Sequence, residues 1–223
     1  MNYKISIYLI LILTINSFLY SQEEELKGKI YSDFLKEYIP RYDSTFNRTT
    51  KSVFVSSLKN ITDLYERYDI NYLEDYLNDN LENNTQYRGG WEPNFYFNSI
   101  MWGGFGEILE KHPISGKLLI KLLKKLEHKF KLNKRLINNT GFEIKYNKSN
   151  IPKSSKWDEF HNKYKNCYGF IYFSDIVFSD DKQYAMFYKE NYKYSLAASG
   201  DVVLMKFSNG NWKIIAFLND WIS

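Results

Sequence analysis

Cysteine is nearly absent from this chain of 223 residues: Cys167 stands alone. An internal disulfide is therefore excluded, and stability has to come from packing. A lone cysteine in this setting reads as a small buried apolar residue, because free cysteine is among the most buried residue types. Histidine is also scarce. His112, His128 and His161 show no His-x-x-x-His spacing and no pairing with cysteine, so no metal site and no cofactor are expected. Glycine and proline number only 11 and 4, and no low-complexity tract or internal repeat is visible. After the first twenty residues no apolar run approaches the roughly 20 residues that a spanning helix needs, so the mature chain is expected to have no transmembrane segment. Single-sign charge is lacking too. The net charge is +4, and no nucleic-acid partner is expected.

What is present begins at the N-terminus. Lys4 and the amino terminus are followed by an almost continuous apolar run from Ile7 to Ile15. Asn16 and Ser17 break it, Ser21 offers a small residue for cleavage, and Glu23, Glu24 and Glu25 follow. That order reads as a secretory signal peptide over residues 1–21. The run is too short and too polar at its far end for an anchor. The expected product is exported, soluble, and periplasmic or extracellular. About 200 residues remain, enough for one large domain or two small ones.

The hydrophobic period divides the rest into a helix-rich region over 22–139 and a helix followed by an antiparallel sheet over 140–223. The fold class expected is therefore α+β. Leu26, Ile30, Phe34 and Tyr38 have helical spacing, and Pro40 is expected to end that helix. Phe54, Leu58, Ile61, Tyr65 and Tyr68 suggest a second helix, and Tyr72 to Leu81 a third. Gly89 to Pro93 reads as a break. Ile114 to Leu136 reads as a strong amphipathic helix, Asn147 to Ser155 as a linker, and Trp157 to Tyr164 as a short helix. The period then becomes strand-like. Tyr168 to Phe178, Gln183 to Leu196, Asp201 to Phe207 and Trp212 to Ile222 form a meander, with Asn209-Gly210 as a hairpin turn.

The last third carries a resemblance. Trp157-Asp-Glu-Phe160, Tyr164, Gly169, Ser174, Ile176, Phe178, Ala185, Tyr188, Gly210-Asn-Trp212-Lys-Ile214 and Trp221-Ile-Ser223 are its residues. Residues 156–223 resemble an uncharacterised family of exported bacterial proteins that end in a helix, a meander and this Gly-x-Trp-Lys-Ile turn. Where such proteins often carry a cysteine-containing insert, this chain has Ser195 to Gly200. The resemblance implies fold and export; it implies no activity.

No catalytic signature assembles in the sequence. Trp102-Gly-Gly-Phe-Gly106 lacks the P-loop lysine. Glu159, His161 and Asp175 are the groups on which an extracytoplasmic hydrolase, with its site between helices and sheet, would rest; Cys167 beside His161 has no nucleophile motif around it. Tyr184, Met186, Tyr188, Tyr192 and Tyr194 share one strand parity, which suits cross-strand packing or stacking on sugar rings. Between Lys117 and Arg135 the basic residues are opposed by Glu127 alone. At 100° per residue Lys117, Lys121, Lys124 and Lys125 gather opposite the leucines. They are the candidate binding residues, and the partner they suit is an anionic surface or an envelope protein. The sequence thus favours a non-enzymatic binding or envelope-interaction protein over a hydrolase.

Overall fold

In the computed structural model the described residues are 2–46, 49–58, 111–126, 128, 130–146 and 151–222. The helical stripes expected over 61–81, the break at 89–93 and the glycines at 103–106 lie outside them. The chain is α+β. Its frame is one mixed sheet with helices on both faces.

The first element, α1 (Asn2–Phe46), runs through Pro40 rather than stopping there. Proline removes one hydrogen bond and crowds the preceding turn, at a cost of about 3 kcal/mol. Here Ile39 is fully buried and Tyr38 and Tyr42 pack on the same core, so tertiary contacts on both sides of Pro40 offset that cost. Asp43, near the end of α1, accepts from the Thr50 N–H and hydroxyl at 2.7 and 2.8 Å just before β1 (Ser52–Ser57). This corrects the helix expected around Phe54. Ser-Val-Phe-Val alternates between the faces: Val53 and Val55 meet α1, and Phe54 meets the opposite layer. Over so short a run, strand alternation and a helical stripe share residues, and β-branched content was the better guide.

Helix α2 (Ile114–Leu126) buries Leu118, Leu119, Leu122, Leu123 and Leu126. It ends ten residues before the expected Leu136. Leu132 and Ile137 belong to the core on the α1 side of the sheet, so the chain has to leave the helix and cross the sheet's end to reach them. A 3-10 turn at Lys134–Leu136 precedes β2 (Glu143–Tyr146), a short edge strand where no strand was expected. Helix α3 (Trp157–Lys163) leads into β3 (Cys167–Phe173), β4 (Val177–Phe178), β5 (Tyr184–Tyr194), β6 (Ala197–Ser208) and β7 (Asn211–Ile222). The sheet order is β2-β1-β3-β5-β6-β7, with β4 against β5. The pairs from β3 onward are antiparallel, as the meander required, whereas β1 lies parallel to both β2 and β3. The β6–β7 hairpin turns at Asn209 (φ 52°) and Gly210 (φ 78°), the two left-handed positions that suit an Asn-Gly pair.

Alternation then builds two cores. On one face Ile30, Tyr31, Phe34, Leu35 and Ile39 of α1 meet Phe173, Phe187, Val203 and Met205. On the other the α2 leucines, with Trp157 and Phe160 of α3, meet Phe170, Met186, Tyr188 and Leu204. Each fully buried side chain of this size contributes about 1.5–3 kcal/mol. Helix α1 also guards the sheet's edge. Asp33 accepts from the Trp212 N–H at 3.0 Å and Glu37 from the Ile214 N–H at 3.1 Å, both in edge strand β7. Carboxylates from a covering helix thus occupy donors that would otherwise invite another strand. At the far end Asp175 ties the layers together, with Lys27 of α1 at 3.0 Å and Lys125 of α2 at 2.9 Å.

Candidate functional site: a cleft where two strands part

The cleft begins with a glycine. Gly169 has φ 119°, and a Cβ there would lie 2.3 Å from the Tyr192 carbonyl oxygen. Only glycine lets β3 press so close to β5, and the β1–β3 register slips beside it. Pairing between β3 and β5 stops at Phe170–Tyr192. Beyond that point Cys167 stays with β1, and Tyr194 stays with β6 after a second register shift at Lys193. Bulges of this kind redirect side chains at the rims of sheets. The parted strand ends leave a hollow of about 970 Å³, in the upper part of the range of roughly 300–1,000 Å³ that holds small organic ligands. Tyr42 of α1, His161 and Asn162 of α3, Thr49, Thr50 and Tyr194 wall it, and Cys167 and Tyr168 lie at its base.

Its aromatic groups are held in place. His161 stacks between Trp157 and Tyr194, with centroids at 5.6 and 4.5 Å. Its Nε2 donates to the Lys193 carbonyl at 2.8 Å. The Lys193 ammonium lies 3.5 Å from the Tyr42 centroid and 4.9 Å from that of Tyr168. Beneath the cleft the Tyr168 hydroxyl donates to Asn191 at 3.3 Å, and Asn191 donates to Ser199. Ser199 donates to Asp201 at 3.1 Å, and Asp201 in turn pairs with Lys189, which is 0 % exposed. The base of the cleft therefore rests on a buried polar chain rather than on loose side chains.

The candidate hydrolytic groups do not meet. Asp175 follows the far end of β3, about 20 Å from Cys167 at some 3.3 Å per residue. It is held between Lys27 and Lys125, and its Oδ1 also accepts from the Ile176 N–H. Glu159 points outward to Lys156. His161 does reach the cleft, as does Cys167, but burial pushes the Cys167 thiol up from its ordinary value and away from the nucleophilic thiolate. Among the described residues no group of histidine, cysteine and acidic side chains could hold a metal ion.

The α2 lysines do face away from the core, as the leucine stripe required. Lys117, Lys121 and Lys124 are exposed, whereas Lys125 is half-buried. Lys121 pairs with Asp180 at 2.8 Å, and Lys125 with Asp175 and the Ile176 carbonyl. The tyrosine parity also holds. Met186 and Tyr188 are buried on the α2 face, and Tyr194 alone of that row lines the cleft. Sequence reasoning missed Tyr42, Thr49, Thr50, Asn162 and Asn166. The signal that pointed toward them was Gly169 inside a strand-like run, a mark of close backbone approach.

Comparison of the chain with family models, with curated proteins and with solved structures gives no match.

Proposed function

We propose that this is a non-enzymatic binding protein that works outside the cytoplasm and takes its ligand in the cleft between α3 and the parted ends of β3 and β5. One observation carries the reading. The cleft offers held aromatic rings, amides and hydroxyls, while Glu159 and Asp175 lie away from His161. That lining can grip and orient a ligand; the carboxylate that shares it with His161 is Asp158, and neither Glu159 nor Asp175 joins them.

Export is supported by where the fold's contacts start. Leu11 to Tyr20 carry apolar side chains that are 50–68 % exposed, whereas Leu26 packs against the core and Lys27 pairs with Asp175. Among the described side chains, residues 11–21 belong to neither core, as suits a segment removed on secretion. Among the described residues no helix is long and apolar enough to cross a membrane. The family resemblance of residues 156–223 points the same way.

The lone cysteine provides the test. Cys167 lines the cleft, so a bound ligand will slow its alkylation by iodoacetamide, read by intact mass. A panel of soluble oligosaccharides and small polar metabolites is screened in this way. The expected result is protection by a subset of compounds that Asn162→Ala diminishes. An alkylation rate that no compound alters would overturn the cleft. Release of product from a protecting compound, lost in His161→Ala, would overturn the non-enzymatic reading in favour of hydrolysis.

A further inference from the structure

The cleft does not end at Thr49 and Thr50. These two residues also line a second hollow of about 670 Å³, walled by Lys51, Asn138, Asn139, Thr140 and Glu143. The two hollows share one wall and run along the same end of the sheet, so the receptive surface is elongated. Its chemistry repeats along its length. Asn162 and Asn166 stand in the first hollow, Asn138 and Asn139 in the second, and threonine hydroxyls lie in both. Asn166 and Asn139 occupy left-handed backbone, with φ 59° and 57°.

Amides that both donate and accept, set beside hydroxyls, match the vicinal hydroxyl groups of a sugar. Tyrosine rings present flat apolar faces to the C–H side of a pyranose. The charge is biased as well. Lys165 lines the first hollow and Lys51 the second, and Lys193 lies against the Tyr42 ring, opposed by Asp158 and Glu143. An extended peptide is disfavoured because the backbone between the hollows is spent: the Lys51 N–H donates to Asn166, and the Lys51 carbonyl accepts from Glu143.

Building on the binding reading above, we infer that the double hollow is a site for an acidic oligosaccharide, a chain of sugars carrying carboxylate or sulfate groups. The rings lie along Tyr194 and Tyr42, the hydroxyls meet the asparagines, and the anionic groups meet Lys165 and Lys51.

The test is calorimetric titration of the folded protein with oligogalacturonate, with its neutral methyl ester, with a heparin-derived hexasaccharide, and with polyglutamate as an anion that is not a sugar. The expected result is binding of at least one acidic sugar, weakened about tenfold or more by Tyr194→Ala, Lys165→Met and Asn162→Ala, single losses worth one good contact each. Lys165 and Asn162 are exposed, so their variants keep the fold if Tyr194→Ala does not. The two acidic sugars distinguish carboxylate from sulfate. Equal binding of polyglutamate, unmoved by these variants, would overturn the inference and leave only a charged surface. Tighter, Tyr194-dependent binding of the methyl ester would overturn the acidic class while sparing the cleft. Absence of binding by every sugar, with Cys167 still protected by another compound, would likewise overturn the inference and spare the binding function.

Discussion

Removing one partner of the Lys189–Asp201 pair should be among the costliest single changes in this protein. Lys189 is 0 % exposed and the Asp201 side chain 8 % exposed, under the cover of α1. The ammonium also touches the Tyr38 hydroxyl at 3.1 Å and lies 4.6 Å from that ring's centroid. Asp201→Ala leaves a buried cation with a phenol and a ring face as its remaining contacts. Stranding one member of such a pair costs about 3–5 kcal/mol, because the charge stays desolvated while its partner is gone. With a urea slope of about 2 kcal/mol per molar, the unfolding midpoint should fall by roughly 1.5–2.5 M. Lys189→Met should cost a similar amount by stranding the carboxylate. The double variant Lys189→Met, Asp201→Leu removes both charges and fits an apolar setting of Phe187, Val203 and Ile39. It should regain at least half of the loss. Equilibrium urea unfolding monitored by far-UV circular dichroism reads all three. Single variants costing less than about 1 kcal/mol, or a double variant no better than the worse single, would refute the claim that this network is dry and charge-matched.

Other consequences follow from particular contacts. Gly169→Ala should lower the melting temperature sharply in a thermal scan, since its Cβ would strike the Tyr192 carbonyl on strained backbone; no shift would mean that β3 and β5 are not in close approach. Leu122→Ala, in the centre of the α2 stripe, should cost about 2–5 kcal/mol by urea unfolding, whereas Lys117→Ser should stay within about 0.5 kcal/mol. Alkaline pH should destabilise the fold. Burial, aided by Glu190, pushes the Tyr172 phenol up to about 12 from its ordinary 10, so the folded state keeps a proton that the unfolded state gives up. The contribution of Tyr172 is then complete below pH 10 and falls by about 2–3 kcal/mol as pH rises to 12, alongside those of the other phenols raised by burial, Tyr31, Tyr168 and Tyr192, and Tyr172→Phe should remove its share of the fall in a pH series of urea midpoints.

Much of the fold was legible because it rests on local chemistry. The leucine stripe of α2, the aromatic and β-branched strands from Cys167 onward and the Asn209-Gly210 turn each declare themselves within a dozen residues. Three features were not legible, for one shared reason. Pro40 sits inside a helix, Phe54 in a strand, and Leu132 beyond the end of α2 because of partners far away in sequence. The candidate site shows the same division. His161 and the tyrosine row were visible as chemistry-bearing residues. Tyr42, Thr49 and Asn162 became neighbours only when β3 and β5 parted around Gly169, a tertiary event that one glycine in a strand-like run can hint at but not place.

The most direct test of the central claim is amide shift mapping by NMR on the labelled protein, titrated with the compound that best protects Cys167. Binding in the cleft predicts perturbed amides at Thr49, Thr50, Asn162, Asn166 and Tyr194, with Lys117 to Lys125 unmoved. Shifts confined to the lysine face of α2 would contradict the cleft and return the binding role to that helix.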